Sequence, residues 1–251
     1  MGDKVIPDIE ELISTLSNTS LPTVIIEGID DVVVYRKLED LFFDIGLSVM
    51  PVYGRNNVIK IFDRRHEFSK GKNFAFIADR DLWIVGGIPE QYRSPSMITT
   101  DGYSIENDLF RDHDVLNLLE GGELAKFHQE IEKIMYWYAL IVKRTTEMAS
   151  DAKIKTFIGT LLDSEAEYQR QIALNSGEEY PNELLQVMKA DFARYLRGKS
   201  LMHVVSRQLS RKNRDIRVRT DVFFALARSK PGPLLSQIYE EVGSFFGATI
   251  A

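Results

Sequence analysis

Apolar positions along this 251-residue chain change their spacing about half-way. In the first half they come in short unbroken runs, Thr23–Ile26, Ser48–Tyr53 and Phe74–Ala78. Runs this short, rich in β-branched and aromatic residues, predict strands buried on both faces, as in a parallel sheet. Between the runs the spacing turns helical. Ile9, Leu12, Ile13 and Leu16 predict a short opening helix. Asp30 and Asp31 start a helix expected to reach about Ile45, with Gly46 as its stop, since acidic side chains suit a helix N-terminus. A further helix is expected over 57–68, ended by Gly71. The β-α-β-α-β order implies parallel strands joined by right-handed crossovers. Gly86-Gly87-Ile88-Pro89 reads as a loop, Met97–Thr100 as a candidate fourth strand, and Tyr103–Phe110 as a turn entering a helix.

From about Asp114 the strand signals fade. Helical spacing covers 124–146, 152–174, 184–196, 200–209, 222–226 and 234–246, with a loop at Asn175–Asn182. The expected fold class is α/β. A parallel sheet flanked by helices occupies residues 1–115, and a mainly helical domain occupies 116–251. Tyr136-Trp137-Tyr138 cover several faces of one helix and predict core or subunit packing.

Composition narrows the class only a little. The chain is 44% apolar and 27% charged, as soluble globular proteins are. It has no cysteine, which removes disulfides and thiolate metal sites and suits a cytoplasmic protein. The most apolar stretch, near Met135–Val142, is far short of the roughly 20 residues a spanning helix needs, so no membrane role is expected. The N-terminus lacks the apolar core of a signal peptide. The net charge of −6 argues against a general nucleic-acid coat. It hides an asymmetry, because residues 189–219 carry ten Lys or Arg against two Asp. That basic segment, Arg207, Arg211, Lys212 and Arg214 above all, predicts a local phosphate-binding surface, with a solvated face or a docking surface as the alternatives.

The candidate chemistry is acidic. Val24-Ile25-Ile26 leads into Glu27-Gly28-Ile29-Asp30-Asp31, and Phe74–Ala78 leads into Asp79-Arg80-Asp81. Carboxylates at the C-terminal ends of parallel strands face the crevice where open α/β sheets bind ligands. Several of them repel one another unless a cation sits among them. Glu27, Asp79 and Asp81 therefore predict a magnesium site, and magnesium on bare carboxylates points to phosphate chemistry. Gly28 lets the chain turn after Glu27. Asp79 and Asp81, two apart, point the same way on an extended backbone. The plainer alternative makes Asp30 and Asp31 helix caps and Asp79/Asp81 a solvated turn.

These residues resemble a family. Ile25-Ile26-Glu27-Gly28-x-x-Asp31-Val32 is similar to the first motif of the TOPRIM fold, shared by topoisomerases, bacterial primases and OLD-type nucleases. Ile77-Ala78-Asp79-Arg80-Asp81 resembles its Asp-x-Asp motif. Tyr53–Val58, Thr99–Asn107 and Leu196–Leu201 resemble OLD-like TOPRIM nucleases that partner ABC-type ATPases in anti-phage defence, the PARIS system among them. The resemblance implies a toxic endonuclease using Mg2+ or Mn2+. Glu27 would be general base or metal ligand, Asp79 and Asp81 would bind metal, and Asp31 falls where many such proteins are acidic. Glu106 would add a carboxylate, or would serve only as a helix N-terminal charge. Lys199 takes the place of a lysine that stabilises the phosphodiester transition state in that family; a helix break with an exposed lysine is the alternative. The implied partners are the ATPase subunit and a nucleic acid, either RNA (tRNA included) or DNA. A homodimer is one option for the active state.

Two rivals stand beside this reading. A haloacid dehalogenase-type phosphatase also carries Asp-x-Asp after a strand. Its usual Thr or Val two residues beyond is here Trp83, and Glu27-Gly28 would have no task. A non-catalytic TOPRIM subunit that regulates the ATPase is the other.

Overall fold

The computed structural model describes residues 6–69, 73–147, 157–211, 217–219 and 221–249. The chain forms two compact units. One comprises residues 1–80, 88–100 and 224–251, and the other residues 81–87 and 101–223. The chain thus passes between units after residues 80, 87, 100 and 223, where the apolar pattern suggests one break near 115. A contact that closes over a long loop leaves no local trace in that pattern.

The first unit holds a four-stranded parallel sheet. Its strands are β1 (Thr23–Ile26), β2 (Ser48–Pro51), β3 (Phe74–Ala78) and β4 (Met97–Thr99), in the order β2-β1-β3-β4. Every residue of β1 and β3 is buried, as their unbroken apolar runs require. Helix Ile9–Asn18 starts on a capping box, with Asp8 accepting from the Glu11 N–H and Glu11 reaching back to the Asp8 N–H. It places Leu12, Ile13 and Leu16 in one core with Ile25, Val52, Ile61, Phe62 and Phe76. Helix Arg55–Asp63 packs on β3. The helix expected over 30–45 is broken into Val32–Tyr35, Lys37–Leu41 and a 3-10 turn at Phe43–Ile45, and Gly46 ends it in the left-handed conformation. The C-terminal helix Pro233–Phe246 belongs to this unit too, its Tyr239 hydroxyl donating to the Val34 carbonyl at 3.0 Å.

β2 is an edge strand closed to further pairing. Its Val49 N–H, turned away from β1, is taken by Glu39 Oε1 at 2.9 Å, and Pro51 has no N–H to offer.

The second unit is helical. Helix Gly122–Glu147 runs through its core, packed by Asn182–Ala190 and Gly198–Leu209. Trp137 and Tyr138 are buried, whereas Tyr136 stacks on Tyr180 at 4.2 Å between ring centroids. Its Tyr136–Tyr138 run serves packing, as the sequence suggests. The helix expected over 152–174 appears, within the described residues, as Ile158–Asp163 and Glu165–Ile172, with Ser164 capping the second. No helix among the described residues is long and apolar enough to cross a membrane.

Candidate functional site in the carboxylate crevice

The strand order fixes where a ligand can sit in the first unit. From β1 the chain moves outward to β2, then crosses to β3 on the other side of β1. The point where the direction reverses lies between the C-terminal ends of β1 and β3, and open α/β sheets bind ligands there. Glu27 is the residue after β1 and Asp79 the residue after β3. Glu27 Oε1 accepts the Asp79 N–H at 2.8 Å. Two acids 52 positions apart in sequence are thus held together at the reversal point.

Three more groups of this unit stand around them. Asp31 makes no side-chain cap bond to helix Val32–Tyr35, contrary to the cap alternative; its Oδ2 accepts the Gly28 N–H at 3.0 Å. The role of Gly28 is space rather than an unusual backbone angle. A Cβ there would lie 2.7 Å from Asp31 Oδ2. Tyr53, two residues past β2, takes a left-handed conformation with φ 63°, and the Gly54 N–H then donates to the Glu27 carbonyl at 2.7 Å. Left-handed non-glycine residues cost of order 1–3 kcal/mol and cluster at functional sites. Arg55, the first residue of helix Arg55–Asp63, donates from Nη1 to the Arg80 carbonyl at 3.4 Å.

The second unit carries the other expected residues. Asp81 is left-handed, φ 47°, and its N–H donates to the Tyr103 carbonyl at 2.8 Å. The extended backbone on which Asp79 and Asp81 would point the same way is therefore absent. Burial, reinforced by the Asp81 charge, pushes the Tyr103 hydroxyl far above its ordinary pKa. Glu106 is buried in the first turn of helix Ile105–Asp112 and accepts the Ser104 hydroxyl at 2.5 Å. Lys199 is exposed in the first turn of helix Gly198–Leu209. Asn107 ties these two helix starts together, donating to the carbonyls of Ala193 and Leu196 at 2.7 and 2.8 Å. Arg207 turns onto Asp163 and Glu130, at 2.8 and 3.5 Å, instead of standing on an open basic face. Arg211 follows the end of the same helix, and Lys212 and Arg214 lie outside the described residues.

The segment Thr99–Asn107 carries part of the resemblance, but Asp108, Arg111 and Arg194, which complete a polar cluster at the start of helix Ile105–Asp112, had no role in the sequence reading. Asp101 pairs with Arg111 and, at 3.0 Å, with Arg194. Asp108 is buried and accepts the N–H groups of Asp101 and Gly102 at 2.9 and 2.7 Å. Its signal was present, because Glu106-Asn107-Asp108 put consecutive polar residues where an amphipathic helix would place at least one apolar one.

Burial pushes the Asp108 carboxyl up from 3.8 to about 6, against the pull of the two N–H groups. A folded-state pKa above the unfolded one favours the protonated fold. The contribution is complete below about pH 4 and is lost as pH rises through about 6. Stability relative to the Asp108→Asn variant should therefore fall between pH 4 and 7, by up to about 3 kcal/mol. Chemical denaturation of both proteins across that range measures it, and a flat or rising difference would contradict the burial argument.

The chain matches no protein-family model and no curated protein. What the crevice can hold is judged from its donors. Among the described residues, no three His, Asp or Glu side chains form a ready metal cage. Magnesium does not need one, since it keeps several waters and takes one or two carboxylates. The hard oxygen donors of Glu27 and Asp79 fit such an ion. Asp79→Asn should weaken Mn2+ or Mg2+ binding at least tenfold, because the amide removes the charge a hard cation prefers. Calorimetric titration decides this, and equal affinity in variant and wild type would move any metal elsewhere.

Proposed function

We propose that the chain is a metal-dependent phosphodiesterase of the TOPRIM type, cutting nucleic acid. One observation carries the reading: Glu27 and Asp79 meet at the sheet's reversal point, joined by the Asp79 N–H. Glu27 and Asp79 would hold Mg2+ or Mn2+, with Asp31 beside the Glu27-Gly28 turn, and a cation bound there would supply Lewis acidity at a phosphoryl oxygen. The Glu27 carboxylate orients the attacking water and accepts its proton, which passes to the leaving strand oxygen as its bond to phosphorus breaks. Asp81, Glu106 and Lys199 are assigned to the same reaction by resemblance alone, the lysine as the cation that meets transition-state charge. Resemblance also supplies the biological setting, an effector held silent by an ABC-type ATPase until infection.

The test is incubation of the full chain with end-labelled RNA and DNA in Mg2+, Mn2+ or chelator, beside a phosphate monoester. Strand cleavage that needs the metal, with the monoester untouched, is expected. Monoester hydrolysis alone would favour the phosphatase, and no hydrolysis with either would favour the non-catalytic subunit.

A further inference from the structure

Arg80 stands between two acids in sequence, yet it pairs with neither. Its Nε donates to Thr99 Oγ1 and its N–H to Thr100 Oγ1, both at 3.2 Å. Its carbonyl accepts Arg55 Nη1. Thr99 ends β4 and Thr100 follows it, so the guanidinium is pinned on the β4 side of β3, at the same C-terminal edge of the sheet as Glu27 and Asp79. The residue is half-buried, and among the described residues it forms no ion pair. A solvated arginine next to two carboxylates gains by pairing with one of them or by moving freely. This one is instead held at Nε by the neutral Thr99 hydroxyl, while Thr100 holds its backbone N–H.

Fixing Nε leaves the two terminal amino groups, the edge that meets a phosphate through parallel N–H···O bonds. A side chain already fixed loses little further entropy on binding. We propose that Arg80 receives a phosphate of the substrate strand adjoining the one that is cut. The substrate class is then a polymer with consecutive phosphodiesters, and a small isolated diester leaves the Arg80 contact empty. This rests on the phosphodiesterase reading above.

The experiment uses the full chain as wild type, Arg80→Ala, Arg80→Lys and Arg80→Gln. Binding of fluorescein-labelled single-stranded RNA, the DNA of the same sequence and its duplex is measured with Ca2+ in place of Mg2+, over a salt series. Arg80→Ala should weaken binding on the order of tenfold or more for every strand that wild type binds. It should also flatten the log–log salt dependence by about 0.7 to 0.9, the share of one phosphate contact. Arg80→Lys should restore the slope but not the full affinity, having charge without the planar fork. Cleavage of bis(p-nitrophenyl) phosphate, which has no adjoining phosphate to offer Arg80, should fall less in Arg80→Ala than cleavage of a strand does. Wild-type affinity and slope in Arg80→Ala would overturn the role of Arg80 and leave the phosphodiesterase reading intact. A wild-type chain that neither binds a strand nor cleaves a diester would overturn that reading itself. If Arg80→Ala melts early, Arg80→Gln, which keeps an N–H donor for Thr99, carries the comparison with the same expected loss of slope.

Discussion

Glu27→Gln is expected to abolish phosphodiester cleavage, by on the order of a thousandfold or more, while the protein melts close to wild type. The glutamine is the informative variant because of the Asp79 N–H. Glu27 Oε1 accepts that bond at 2.8 Å. Alanine would remove the acceptor and cost about 1 kcal/mol of stability along with the chemistry. Glutamine keeps an acceptor oxygen and removes only the charge and basicity. Cleavage and thermal melting on the same preparations separate the two effects. An active Glu27→Gln protein would remove Glu27 from the mechanism, and an unfolded one would make it a structural residue.

The largest expected effect on stability is at Gly198. Helix Gly198–Leu209 begins so close to the start of helix Ile105–Asp112 that a Cβ at 198 would lie 2.1 Å from Ser104 Oγ and 2.6 Å from Asn107 Oδ1. Neither neighbour can retreat without loss. Ser104 donates to buried Glu106, and Asn107 holds two carbonyls of the preceding segment. Gly198→Ala should therefore cost about 2 to 3 kcal/mol, as overpacked cores do. For a chain of this size that lowers Tm by roughly 4 to 12 °C. The same substitution at Gly177, where a Cβ meets nothing, is the control for space, although its φ of 76° adds backbone strain of its own. An unchanged Tm for Gly198→Ala would mean that the two helix starts do not meet.

The parts of the fold legible in sequence were those with a strong local period. β1 and β3 are buried on both faces, so their unbroken apolar runs marked them, and the helices at 9–18, 122–147 and 233–246 kept an apolar stripe along their length. The 30–45 segment has apolar residues at helical spacing, yet it folds as three short pieces and leaves Phe43 80% exposed; nothing in its local pattern marks the breaks at Arg36 and Phe42. The return of the C-terminal helix to the first unit was illegible, since its packing on β4 and Phe42 and the Tyr239–Val34 bond join residues far apart in sequence, 205 positions for that bond. Glu27 and Asp79 could be singled out because each follows a buried run. Arg80 could not, because its meaning comes from Thr99 and Thr100, which only the pairing of β3 with β4 brings near. The partners of Arg207 were illegible for the same reason: Asp163 and Glu130 reach it from other helices.

The central claim is that a divalent cation binds where β1 and β3 end. Crystals of the full chain soaked in Mn2+, measured at an energy where manganese scatters anomalously, test it directly. An anomalous peak is expected within coordination distance of carboxylate oxygens from both Glu27 and Asp79, lost in Asp79→Asn crystals. Manganese bound elsewhere, with no peak between these two residues, would contradict it.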